Sequence, residues 1–201
     1  MKHFLPLLIL VLIVIGCLLL VDKLTVERLR ENRLQHLQTL LSAALDNSVQ
    51  GPVDGDLITI SEPQLTGANN LLYIYRQRSG GTITAIALYP VVARGYRRPI
   101  ELAVGISADN RITGVRVIDQ DETPGLGDRV DQSRSDWLQQ FTGVALEAMQ
   151  PGDWAVSHDQ GKFDALSGAT ITSRGVINAV HKTAEIHAIR KETFYSYNVS
   201  P

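Results

Sequence analysis

The stretch LLYIYRQRSGGTITAIALYPVV, residues 71–92, alternates apolar with polar or small side chains on both sides of Ser79, Gly80 and Gly81. Alternation at period two sends successive side chains to opposite faces of a strand, and a Gly-Gly pair between two such runs supplies the positive φ of a tight hairpin. PIELAVGISADNRITGVRVIDQ, residues 99–120, repeats the design with its turn at Ala108, Asp109 and Asn110. Two successive hairpins commit the chain to an antiparallel sheet, which must bury a face against something. Helices are at hand. Residues 174–192, RGVINAVHKTAEIHAIRKE, carry an apolar stripe of Val176, Ile177, Val180, Ala184 and Ala188. Residues 133–141 read as a short helix capped by Ser133 or Ser135, with Trp137, Leu138 and Phe141 inward. A last strand is expected in DWAV, residues 153–156. The expected class is α+β: an antiparallel sheet with flanking helices.

The N-terminus follows different physics. Residues 4–21 contain no charge over 18 positions, and a helix of that length reaches roughly 27 Å, enough for a bilayer core. The expected element is a transmembrane helix anchoring the chain in a lipid bilayer. A cleaved signal peptide fits less well, because four bulky residues follow Gly16. A lipid-anchor signal is the other alternative, since VIGC places a small residue before Cys17. Cys17 is the only cysteine, which excludes an intramolecular disulfide and a cysteine-based metal site. Positive flanking charges favour a cytoplasmic domain, but long domains cross largely regardless of charge, so charge leaves the orientation even. Residues 23–45 place Leu24, Leu29, Leu34, Leu37, Leu40, Leu41 and Leu45 at helical spacing opposite a charged face, and Gly51 and Pro52 stop the pattern. This segment is either a stalk or partner surface, or a helix packed on its own domain. The division is therefore a membrane anchor at 1–21, an amphipathic linker helix at 22–50 and a domain at 51–201. A net charge of −2 without a dense basic run argues against nucleic acid as a partner.

Two loops could carry chemistry. In DETPGLGDR, residues 121–129, Pro124 fixes one dihedral while Gly125 and Gly127 let the backbone approach a flat ligand, with Leu126 presented between them. The bland reading is a simple connection. In DALSGATITSRG, residues 164–175, hydroxyls crowd in front of a helix. No Lys follows as a phosphate-binding loop of the Walker type requires, and ALSGA lacks the first Gly of a serine-hydrolase elbow. The histidines form no metal-type pattern and read as solvent-facing. What remains is a helix start, where free N–H groups attract an anion, with Thr172 or Ser173 as cap and Thr170 pointing elsewhere. A plain N-cap is the alternative.

DALSGAT fits the pattern Asp-x-x-Ser/Thr-Gly-Ala-Thr of proteins that carry FMN through a phosphoester on the last threonine. With ETPGLG about forty residues earlier, GYRRPIELAVGI at 95–106 and the apolar N-terminus, the chain resembles the subunit designated G of Rnf electron-transport complexes. It is also similar to the subunit designated C of the sodium-translocating NADH:quinone reductase. The resemblance implies an FMN-binding domain in a membrane-anchored electron carrier whose complex couples ferredoxin and NAD electron transfer to ion translocation. It implies covalent FMN on Thr170, a turn shaped by Ser167, Gly168 and Ala169, and Thr172 beside it. Asp164 would belong to the pattern read by the flavin transferase, and Glu122, Thr123, Pro124, Gly125, Leu126 and Gly127 would lie by the flavin ring. Partners would be the other membrane and redox subunits, with the domain on the periplasmic side of the inner membrane. Gln120 departs from the family, which often has His there. A membrane-anchored flavin-binding sensory or regulatory module is the alternative function.

Overall fold

A computed structural model describes residues 14–16, 20, 39–45, 56–67 and 71–196. The chain divides into two compact units, Met1–Gln38 and Thr39–Pro201. Most of the expected membrane anchor and the first part of the amphipathic linker lie outside the described residues. Among the described residues no helix is long and apolar enough to cross a membrane.

The second unit is built on an antiparallel meander of β1 (Leu57–Ser61), β2 (Leu71–Ser79), β3 (Thr82–Ala93), β4 (Ile100–Ser107) and β5 (Ile112–Asp119), adjacent in sheet order as in sequence. Both hairpins form where the alternation places them. Gly80 and Gly81 take φ of 58° and 84°, the mirror-image turn that matches strand twist. The fifth strand differs from expectation. It is LITIS, ahead of the first hairpin, and not residues 153–156. There, Val156 makes only an isolated parallel bridge with Phe163. The β5 edge is already occupied by the Gln132 carboxamide, which accepts the Val117 N–H at 2.9 Å and donates to the Val117 carbonyl at 3.2 Å. One side chain thus satisfies backbone groups that a further strand would otherwise pair.

One face of the sheet is covered by α1 (Pro63–Thr66) and the long helix α2 (Thr170–Tyr195). Val176, Ile177, Val180 and Ala184 are buried on α2 with Ile86, Leu88, Leu102 and Val104 of the sheet, whereas Ala188 of the expected stripe is exposed. The helix begins four residues before Arg174. A β-carbon on Gly175 would overlap the Arg94 carbonyl, so glycine lets α2 press its first turns against the end of β3. Short 3-10 turns fill the 127–159 region. The expected 133–141 helix is one of them, Trp137–Phe141, preceded by Asp136 without a side-chain cap; Leu138 and Phe141 do point inward. The Ser135 hydroxyl still accepts the Trp137 N–H, at 3.3 Å. Phe141, Phe163 and Trp154 stack in series, and His181 continues the stack on Trp154 at 5.1 Å and 9°. His187 is 1% exposed. These two histidines are therefore not solvent-facing, because α2 turns both toward the domain; His158 is exposed as expected.

The other face receives the helical residues 39–44. Leu41, Ala44 and Leu45 pack against Ala85, Ala87 and Ala103, and the Thr113 hydroxyl donates to the Ala44 carbonyl at 2.5 Å. Gly105 and Gly114 pair across β4 and β5, and a β-carbon at Gly105 would overlap that carbonyl. The end of the amphipathic segment thus packs on its own domain, with its backbone almost touching the sheet. Burying Leu41 and Leu45 contributes about 1.5–3 kcal/mol each.

Candidate functional site

Three segments meet at the N-terminal end of α2: the β3–β4 connection, the loop after β5, and the turn at 164–169. They enclose a cavity of about 460 Å³ lined by Tyr96, Glu122, Thr123, Leu126, Gly127, Gly168, Ala169, Thr170, Ile171 and Thr172. The two loops singled out in the sequence therefore share one concave site. Of the residues expected there, Pro124, Gly125, Ser167 and Asp164 do not line it; all four are exposed.

Glu122 is the knot of this arrangement. It is 4% exposed. Its Oε1 accepts the backbone N–H of Tyr96 at 2.9 Å and of Arg97 at 3.1 Å, and its Oε2 accepts the Thr172 hydroxyl at 2.5 Å. The three donors replace the water that a buried carboxylate loses. Gln120, through its Oε1, accepts the Glu122 N–H at 2.7 Å and braces the same residue. Gly95 and Gly127 make room for it, since a β-carbon on either would run into the Glu122 side chain. Gly127 was expected to let the backbone meet a ligand; it lines the cavity, but its missing side chain serves Glu122. Gly125 takes φ of 78° and its N–H donates to Asp128 Oδ1 at 2.7 Å, closing the turn that presents Leu126.

The turn before α2 is also fixed. Gly168 adopts φ of 78° with Leu126 Cδ2 3.0 Å from where a β-carbon would lie. Ala169 is the N-cap and supplies no side-chain bond. Neither Thr172 nor Ser173 caps the helix as expected. Thr172 is spent on Glu122, while the Ser173 hydroxyl accepts the Leu166 N–H at 2.9 Å and donates to the Ala169 carbonyl at 3.1 Å. The backbone of Asp164 is held from both sides: its N–H donates to Gln140 Oε1, and its carbonyl accepts the Trp137 indole N–H, both at 2.8 Å.

Thr170 opens α2 and lines the cavity half-buried. Among the described residues its hydroxyl has no hydrogen-bond partner. The N–H groups of Thr170, Ile171 and Thr172 form the first helical turn, which has no intrahelical acceptors and carries the positive end of the helix dipole. Apolar bulk rings the opening. Tyr96, Leu126 and Ile171 are 68%, 45% and 46% exposed. Sequence reasoning gave Tyr96 and Ile171 no role, although GYRRP placed an aromatic residue in a polar turn. The arginines beside Tyr96 pair outward, Arg98 with Asp119 at 2.9 and 3.0 Å and Arg97 with Asp121 at 3.5 Å. No group of three or more metal-ligating side chains occurs among the described residues.

A family model described as the FMN-binding domain matches residues 95–185, which contain all three segments. The subunit designated G of an ion-translocating oxidoreductase complex from Pseudoalteromonas atlantica is 41% identical over 168 residues, covering 81% of this chain and 78% of that one. This chain belongs to that subunit family. Relatives of the same description from Pseudomonas aeruginosa and Vibrio cholerae are 35% and 34% identical, covering 90% and 85% of this chain and 85% and 81% of theirs. The fold is shared with a crystal structure of NqrC from Shewanella oneidensis, with a TM-score of 0.57 at 22% identity over 82% of this chain and 97% of that chain. Family membership agrees with the resemblance carried by DALSGAT and ETPGLG.

Proposed function

We propose that the chain is the flavoprotein electron carrier of an Rnf-type complex, with FMN joined by a phosphoester to Thr170. The observation that carries this reading is the Thr170 hydroxyl, without a hydrogen-bond partner among the described residues, in a cavity walled by both motifs. The residues present fit the group. Three N–H groups of the first turn of α2 would receive a phosphoryl group. The turn beside them is kept small by Gly168 and Ala169, and Tyr96, Leu126 and Ile171 offer apolar surface to a flat ring. When bound, the flavin supplies one- and two-electron transfer, and the protein supplies position and electrostatics. An ester at the phosphate holds the end remote from the redox ring, so it tethers more than it tunes.

On this reading a flavin transferase matures the chain by reading the exposed Asp164 and Ser167. Residues 1–21 anchor it in the inner membrane, residues 22–50 lead to a domain on the periplasmic side, and the other membrane and redox subunits exchange electrons with it while the complex moves ions. The test is co-expression of the full chain with a flavin transferase, followed by a denaturing gel viewed under ultraviolet light. The wild-type band is expected to fluoresce and the Thr170→Ala band to be dark; a fluorescent Thr170→Ala band overturns the assignment.

A further inference from the structure

The backbone N–H groups at the start of α2 face the cavity without any cationic side chain beside them. Among the ten lining residues there is no Lys, Arg or His, and the single ionisable carboxyl is that of Glu122. Reversible phosphate sites often add Arg or Lys to the backbone N–H groups of a helix start. Here the nearby guanidinium groups of Arg97 and Arg98 pair with Asp121 and Asp119 instead. Thr172, a natural hydroxyl donor for a phosphoryl oxygen at a helix start, donates its hydrogen bond to Glu122 instead. The carboxylate also sits at the positive end of α2 and so offsets part of the dipole that would attract an anion.

We propose that the buried Glu122 carboxylate sets the cavity against holding free FMN, so that retention of the cofactor depends on the covalent bond to Thr170. This rests on the function proposed above. Glu122 is a positioning residue: it ties Tyr96, Arg97 and Thr172 into the cavity wall, and the accompanying charge repels the phosphate. A separation of about 10 Å between the carboxylate and a phosphoryl group at the start of α2 sets the scale of that repulsion. At about 10 Å and an effective dielectric constant of about 80, the carboxylate repels each unit of phosphate charge by an energy equivalent to about a 2-fold change in affinity. The phosphate of free FMN carries about two charges, so the change is about 4-fold, and more where the effective dielectric constant is lower.

Glu122→Gln separates charge from shape. The amide oxygen can keep accepting from Tyr96 and Arg97, and the amide nitrogen can donate to the Thr172 hydroxyl, which accepts as readily as it donates. The test uses the full chain carrying Thr170→Ala, with and without Glu122→Gln, both free of flavin. Each is titrated with FMN and with riboflavin, which lacks the phosphate, following flavin fluorescence at low and high salt. Removing the carboxylate is expected to tighten FMN binding about 4-fold or more at low salt, less at high salt, and to leave riboflavin unchanged. Equal or weaker FMN binding in the double variant overturns the proposal, as does an equal gain for riboflavin. If binding is too weak to titrate, the Thr170 chain is compared with and without covalent FMN. Loading should then raise the melting temperature more in Glu122→Gln than in wild type, and an equal or smaller rise overturns the proposal. A wild-type chain that never acquires flavin would instead sink the proposed function itself.

Discussion

His187 makes folding stability depend on pH. It lies 1% exposed on α2, with its Nε2 3.4 Å from the Tyr195 hydroxyl, which itself donates to the Ile106 carbonyl at 3.3 Å. Burial, with Lys191 adding to it, lowers its pKa from 6.5 to about 4. The unfolded chain therefore binds a proton more readily than the folded one. The stabilisation is fully present above pH 6.5 and is lost as pH falls toward 4. The full shift corresponds to about 3 kcal/mol, of which about 2 kcal/mol has gone by pH 5. Asp56 and Asp153, whose carboxyls lie below the usual carboxylate range, stay charged throughout that interval. Urea unfolding of the flavin-free full chain, followed by the fluorescence of Trp137 and Trp154 between pH 8 and pH 5, measures the loss. His187→Phe keeps a ring beside Phe194 and should flatten the dependence by about 2 kcal/mol while the residual slope persists. An unchanged slope in His187→Phe would falsify the assignment of this pH dependence to His187.

Two further outcomes follow from close contacts. Thr172→Val keeps the shape of the first turn of α2 but leaves Glu122 short of one donor, so it should cost about 1–3 kcal/mol in chemical denaturation; a change within error would mean that the bond at 2.5 Å contributes nothing net. Gly105→Val places a side chain where the Ala44 carbonyl lies, so amide protection at Leu45 should fall while that in β3 stays high, read by hydrogen exchange. Loss of protection in both segments together would contradict a separable seat for residues 39–45.

The hairpins were legible because their signal is local: period two on both flanks and glycines at the turn. The LITIS strand was not singled out because it is short and isolated, and only its partner, β2, defines it. The start of α2 was misplaced because Thr170, Ile171 and Thr172 are β-branched residues with weak helix preference, and Ala169 gives none of the usual capping signal. Tertiary bonds hold that turn in place of a cap: Thr172 to Glu122 and Ser173 to Leu166. Site chemistry was legible only as motif resemblance. That ETPGLG and SGAT share a cavity, and that Glu122 ties them, depends on bonds between residues far apart in sequence. Tyr96 was missed for the same reason, since its place on the rim comes from its backbone bond to Glu122.

Glu122 also orders events in time. Its bonds span 25, 26 and 50 residues of chain, whereas the hairpins close over adjacent strands. Long-range contacts must overcome loop-closure entropy before they are rewarded, so they form after local ones. The cavity is complete only when the meander, the loop after β5 and the long helix have all docked. A nascent chain can have a nearly finished sheet and still lack the cradle in front of Thr170.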